Sequence, residues 1–270
     1  MWKSVRSATG LVAIAIVAAA LMIKMPASPA NAADLELIVP GELSAATEGT
    51  FPPFNMQGAD GKLDGLEMRV MGEIAKRLGL TYKPVITKWE TILIGLKADQ
   101  YDTSSDAMDI TPERQKEVVF VDGWLESGGR LVVKADSTLK SNEEIKGKTV
   151  GVLVASTWEK LATGLGASVK TYKSETDALQ DLVNGNIDGV ITDSIAAAYV
   201  IKVSKLPLRM TEGYLSHIQK GFPVKRGKPN LVKAMNKALA DMIADGTYAK
   251  LTSDLVGYSP APAKPIPSNL

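Results

Sequence analysis

Residues 149–193 read TVGVLVASTWEKLATGLGASVKTYKSETDALQDLVNGNIDGVITD, and this stretch decides the fold. Its pattern changes period four times. Residues 149–153 are a short apolar, β-branched run of the kind that forms a buried strand. A helix follows from about Thr157. Residues 169–172 read as a second strand, and residues 175–183 as a helix closed by Asn184-Gly185. A third strand covers 187–192, and a further helix runs from about Ser194 to 201. Strands that alternate with helices give a mostly parallel sheet covered on both faces, hence an α/β fold.

Working outward, the upstream chain has more, shorter elements. A strand is expected at 35–40. Glu48-Gly49-Thr50-Phe51-Pro52-Pro53-Phe54 is a loop, because paired prolines stop both helix and ladder. Asp60-Gly61-Lys62 is a turn. Val70, Met71, Ile74 and Leu78 recur at helical spacing and predict a helix over 67–78, ended by Gly79. Residues 92–98 read as a helix and 101–105 as a strand. In Thr111-Pro112-Glu113-Arg114, threonine caps a helix, proline fits its first turn and glutamate complements its dipole. Strands follow at 118–121 and 130–134, separated by Glu126-Ser127-Gly128-Gly129, which reads as a flexible crossing. Downstream, Leu231, Met235, Ala238, Leu239 and Met242 stripe a helix over 230–243 that Asp245-Gly246 ends. The proline-rich residues 259–270 are expected to be a polyproline-like, disordered tail. One internal echo stands out. Leu96 precedes Tyr101-Asp102 as Leu182 precedes Ile187-Asp188, in the same helix, turn and strand order.

The N-terminus has a different composition. Lys3 and Arg6 precede the apolar run 11–23, and small residues follow to Ala30-Asn31-Ala32-Ala33. That order is the order of a secretory signal peptide, with cleavage expected near Ala32. The chain has no cysteine. An exported protein without disulfides must be held by an ordinary hydrophobic core, and there is no cysteine to carry a lipid anchor. A soluble periplasmic protein is expected. The formal charge is +1; loss of Lys3, Arg6 and Lys24 with the signal region leaves the mature chain near −2. No basic stripe suggests nucleic acid. No metal cluster or cofactor motif is visible, and no serine triad marks a hydrolase.

The motifs, taken together, carry a resemblance. Thr50-Phe51-Pro52-Pro53-Phe54, Asp60-Gly61 with Gly65-Leu66, and Ile110-Thr111-Pro112-Glu113-Arg114 come first. Then follow Glu144-Ile145-Lys146-Gly147-Lys148 before Val150-Gly151-Val152, Gly185-Asn186-Ile187-Asp188-Gly189 with Thr192-Asp193, and Asn236-Lys237-Ala238-Leu239 with Ala244-Asp245-Gly246-Thr247. In this order they resemble the bacterial extracellular solute-binding protein family 3, the polar amino-acid-binding components of ABC importers. The resemblance implies a two-lobe periplasmic-binding-protein fold (type II) with two hinge crossings. Lobe 1 would hold residues 33–127 and 220–258, and lobe 2 residues 128–219. The implied function is capture of a small solute by lobe closure and delivery to an inner-membrane ABC permease and its ATPase. A monomer is expected, with no cofactor and no catalytic residue.

The same resemblance assigns the pocket. Arg114 takes the ligand α-carboxylate, to which a guanidinium offers two parallel donors. Ser156 and Thr157, where a strand turns into a helix, present free backbone N–H groups to the same anion. Asp193 takes the α-ammonium. Phe51 and Trp89 pack on the ligand side chain, Trp158 narrows the apolar wall, and Glu48 faces a distal cation. Each has a plainer reading. Arg114 and Glu48 would then be surface charges, Asp193 and Ser156 helix caps, and the aromatic residues core.

One stretch departs from the family. In Ser104-Ser105-Asp106-Ala107-Met108-Asp109, two aspartates stand where small or hydroxyl residues are usual. If Asp106, Ala107 and Asp109 face the ligand, carboxylates outnumber Arg114, and buried charge must be paired. A cationic amino acid or related amine is therefore expected. Two alternatives remain open at this point: a ligand-sensing partner of a membrane receptor, and an arogenate- or prephenate-dehydratase-like enzyme on the same fold.

Overall fold

The computed structural model describes residues 35–58 and 60–270. The expected signal peptide, residues 1–32, lies outside the described residues. Two mixed sheets with flanking helices form two lobes.

The first lobe starts with β1 (Glu42–Thr47), followed by the small hairpin sheet β2 (Thr50–Phe51), β3 (Asn55–Gln57) and β4 (Leu63–Asp64). Next come α1 (Leu66–Arg77), β5 (Thr81–Ile86), α2 (Ile92–Lys97), β6 (Thr103–Ser104), α3 (Pro112–Glu117) and β7 (Val119–Phe120). The chain then crosses on β8 (Leu125–Lys134) into the second lobe. That lobe contains β9 (Thr149–Leu153), α4 (Thr157–Gly164), β10 (Ser168–Tyr172), α5 (Glu175–Val183), β11 (Gly189–Asp193), α6 (Ser194–Ser204) and β12 (Leu208–Met210). It returns on β13 (Ser216–Lys220) to β14 (Pro223–Val224), α7 (Pro229–Ala244) and α8 (Thr247–Val256).

The first sheet runs β5-β1-β6-β14-β7 and the second β10-β9-β11-β8-β12, with β13 also on β8. In each, the strands linked by crossover helices pair parallel: β1 with β5 and β6, and β9 with β10 and β11. The strands that carry the chain between lobes join antiparallel. The parallel half of the second sheet is thus the one the strand–helix alternation marked, whereas β1 and β5 of the first lie where no strand is expected from sequence, and the antiparallel halves come from the crossings. The internal echo has a structural counterpart. Asp102 accepts from the Ile38 and Ser44 amides at 2.8 and 3.1 Å, and Asp188 accepts from Thr149 N at 2.8 Å. Each aspartate ties down the start of the lobe's first parallel strand.

Three expectations are corrected. Residues 35–40 are not a strand; the strand begins at Glu42. Gly41 sits at φ +84°, which makes a turn before β1, and the Glu36 carboxylate accepts from Asn230 N and Leu231 N at 3.0 Å, docking the segment on α7. Glu126 to Gly129 is no flexible break but the interior of the ten-residue strand β8. Its glycines serve close approach. A Cβ on Gly128 would lie 2.0 Å from Ser216 O, and one on Gly129 would lie 2.8 Å from the Trp158 ring. Finally, the proline-rich tail is ordered. A polyproline-like segment has no internal backbone hydrogen bonds, so its groups bond outward: Gly123 N to Ile266 O, Ile266 N to Gln219 Oε1 and Ser268 N to Asp122 Oδ1, each at 2.8 Å. The expected stop at Asp245-Gly246 is a turn, and α8 continues from it.

The apolar stripe of α7, with Val70, Met71 and Ile74 of α1, fills the first lobe's core. Trp124 stacks there on Phe222 at 4.8 Å, directly beneath the crossings. The second lobe has separate cores on the two faces of its sheet.

Candidate ligand-binding site

A narrow cleft opens where the lobes meet. Glu48, Phe51, Trp89, Asp106, Ala107, Asp109 and Arg114 line it from the first lobe. Leu153, Ser156, Thr157 and Trp158 line it from the second, with Lys220 at the return crossing. Every residue expected at the site from sequence lines this cleft except Asp193.

One end is rich in donors. Thr111 caps α3 by accepting from Arg114 N at 3.2 Å, which fixes the start of the arginine side chain. The guanidinium lies 5.3 Å over the Trp89 ring. It donates to Asp109 O at 3.1 Å and, across the lobes, to Ala155 O at 3.4 Å. Both partners are neutral carbonyls, and no described carboxylate pairs with it. Ser156 Oγ and Trp89 Nε1 are buried without a hydrogen-bond partner among the described residues. Ser156 is also the N-cap of α4, where free N–H groups favour an anion. A carboxylate placed here would gain several charge-assisted bonds.

The other end is acidic. Asp106 accepts from Asn55 Nδ2 at 2.7 Å and from Glu48 N at 2.9 Å. Beneath it, Glu67 accepts from Ala107 N at 2.6 Å and from Asn55 at 3.2 Å. Burial, and then the neighbouring Glu48 and Glu67 charges, push the Asp106 carboxyl well above the usual carboxylate range. Burial pushes both Glu48 and Glu67 up to about 7. A cation at this end would relieve crowded negative charge.

The backbone is strained on both walls. Ala107 and Ala155 adopt φ +41° and +57°, a conformation that costs a side-chain-bearing residue about 1–2 kcal/mol. A glutamate secures each N–H: Glu67 for Ala107, and Glu159 for Ala155 at 3.3 Å. The strain aims the Ala155 carbonyl at Arg114.

Lys220 is the residue that sequence reasoning missed. Its side chain is 2% exposed, with Nζ 2.5 Å from Asp109 Oδ1 and 2.9 Å from Asp193 Oδ2. Burial alone would depress its pKa, but the two carboxylates raise it above its usual value. Asp109 is further bonded by the Thr157 hydroxyl from the opposite lobe. Asp193 is fully buried. It caps α6 by accepting from Ile195 N at 2.8 Å and also accepts from Ser127 Oγ. It reaches the cleft only through Lys220. Counted from the sequence alone, the cleft therefore lacks one cation. Lys220 neutralises part of the acid excess that Asp109 and Asp193 create, and the remaining excess sits at Glu48 and Asp106. The imbalance itself was the available signal, since buried carboxylates demand a partner.

Residues 43–257 match the family described as bacterial extracellular solute-binding proteins, family 3. The chain belongs to that family. Among its relatives is the L-cystine-binding protein TcyJ of Escherichia coli, 34% identical over 221 residues, which span 80% of this chain and 83% of that one. An ancestral arginine-binding protein bound to glutamine superimposes with TM-score 0.76 at 35% identity, covering 81% of this chain and 99% of its own. An ancestral amino acid-binding protein described as a precursor of cyclohexadienyl dehydratase does so with TM-score 0.76 at 31% identity, covering 80% and 96%. The two-lobe fold is that of type II periplasmic amino-acid-binding proteins. This member of the family carries Lys220 and a pair of aspartates in its cleft.

Proposed function

We propose that the mature chain, from about Ala33, is the periplasmic binding component of an ABC importer and captures an amino acid or amino-acid-like solute with a cationic group. Lobe closure would trap the solute, and an inner-membrane permease with its ATPase would receive it. The observation that carries this reading is the polarity of the cleft. Arg114, unpaired with any described carboxylate, stands with the Ser156 and Trp89 donors at one end, and Glu48 and Asp106 crowd the other. A zwitterion or a longer cationic amino acid satisfies both ends, whereas a simple anion or a simple amine satisfies one. Phe51, Trp89 and Trp158 supply the flat walls that such a side chain packs against. The names of the relatives, cystine- and arginine-binding proteins, support amino-acid ligands.

In this reading Arg114, Ser156 and Thr157 hold the carboxylate, while Glu48 and Asp106 attract the cation. Asp109 and Asp193 act by fixing Lys220, whose third N–H is left for the ligand. Isothermal titration and thermal shift of the mature protein against arginine, ornithine, histidine, cystine, glutamine, polyamines and prephenate test it. A ligand at about 100 times its Kd adds about 2.7 kcal/mol to the folded state. Stabilisation by cationic amino acids or cystine is expected. A response confined to acidic solutes would reject the ligand class, and turnover of prephenate would move the chain to the enzymes.

A further inference from the structure

Glu175 is buried, 6% exposed, at the first position of α5. Neither of its carboxylate oxygens has a hydrogen-bond partner among the described residues. It lines a small second cavity, with room for about one water-sized group, together with Phe51, Leu153, Trp158, Ala178 and Thr192. Phe51, Leu153 and Trp158 line the ligand cleft as well, so the two cavities share a wall. The helix that carries Glu175 packs against β2, which carries Phe51, across the lobe boundary. Closure of the lobes therefore forms this cavity, as it forms the cleft.

A buried carboxyl group without a partner is costly and rare. Structural glutamates at a helix start point outward or cap the helix; this one does neither, because Ser174 already caps α5 by accepting from Asp177 N at 3.2 Å. Burial pushes the Glu175 carboxyl up to about 8, and the Thr192 hydroxyl, near it but outside hydrogen-bond geometry, only partly opposes the shift. The Asp193 and Glu48 charges push the same way, and Lys220 pulls against them. A cation entering this cavity would find an acid with no competing internal partner.

We propose that Glu175 and its cavity are a distal subsite that receives an ammonium group at the far end of an elongated amino-acid ligand whose carboxylate lies at Arg114. The assignment rests on the proposed amino-acid-binding function and narrows it to long ligands with two charged ends. Phe51 and Trp158 form the passage between the subsites and pack on the connecting chain. A short amino acid fills the Arg114 end alone.

Calorimetric titration of the wild type and of Glu175→Gln with ornithine, arginine, cystine, alanine and glutamine tests this. In the wild type at least one long ligand with a distal cation binds tenfold or more tightly than the short or neutral ones. Glu175→Gln lowers that affinity at least tenfold and changes the affinity of any short or neutral binder less than twofold. Glu175→Leu, which also removes the unpaired carboxyl group, melts higher than the wild type without ligand and still loses the long ligand. A glutamate with a structural role would give a lower melt instead. Equal losses for long and short ligands, or none for either, overturn the distal subsite and leave the binding function standing. Failure of every amino acid to bind the wild type overturns that function and the subsite with it.

Discussion

Replacing Lys220 by methionine keeps most of the side-chain bulk and removes the ammonium. Asp109 and Asp193, 4% and 0% exposed, then lose their shared cation. Breaking a buried ion pair by deleting one partner costs about 3–5 kcal/mol. Asp193 keeps its bonds to Ser127 and the Ile195 amide, and Asp109 keeps Thr157, so the lower figure, about 3 kcal/mol, is expected. A chain of this size melts roughly 2–4 °C lower for each kcal/mol lost, which places Lys220→Met roughly 6–12 °C below the wild type at pH 7.5. Adding Asp109→Asn to Lys220→Met removes one of the stranded charges and should recover about half of the loss by the same reasoning. Melting at pH 7.5 followed by circular dichroism measures both variants. A single variant that melts within about 2 °C of the wild type at pH 7.5 would refute the triad as a structural element.

Arg114→Lys keeps the charge and loses the two-donor fork. Ligand affinity should fall roughly 10- to 100-fold by titration calorimetry, and the unliganded melt should hardly move because the arginine bonds only carbonyl oxygens. Burial raises Glu67 to about 7 and Glu175 to about 8, so the folded chain holds protons that the unfolded chain has already released. Each tenfold difference in proton affinity between the two states is worth about 1.4 kcal/mol, so unliganded stability should drop by roughly a few kcal/mol as pH rises from about 5.5 to about 8. Urea midpoints that stay level or climb over that range would contradict it. Gly128→Ala places a methyl group 2.0 Å from Ser216 O, a backbone atom that cannot move aside without breaking the β8–β13 pairing. A loss of about 2–4 kcal/mol is expected in urea denaturation.

The central βαβ units were readable because their period switches cleanly and their stops are ordinary. Leu153 ends a strand and Asn184-Gly185 ends a helix where each was expected. The crossings were not, because a glycine pair has the same appearance whether it supplies freedom or close approach. What distinguishes them is Ser216 and Trp158, residues far along the chain. The tail failed for a related reason: its partners, Asp122 and Gln219, belong to other segments. Residues of the cleft came mostly from a resemblance of motifs, and the local physics of Arg114 at a capped helix start agreed. Lys220 and Glu175 carry no such mark. Each reads as an ordinary surface charge until the fold buries it.

The arrangement of these groups bears on how closure can depend on a ligand. A solute shifts an open–closed equilibrium only by the contacts it makes better in one form. Contacts that the protein makes with itself across the lobes favour the closed form whether or not a ligand is present, and so limit that control. Here the strong cross-lobe group, Lys220 with Asp109 and Asp193, lies at the return strand, where the two lobes are covalently joined and move least. Toward the cleft the pairing weakens. Arg114 reaches across to a single carbonyl at 3.4 Å, and Ser156 and Trp89 have no described partner. Replacing that carbonyl with a ligand carboxylate changes a long neutral bond into charge-assisted ones of about twice the strength. The return crossing is thus held by the protein's own charges, while Arg114 beside it is left for a charge that the solute must bring.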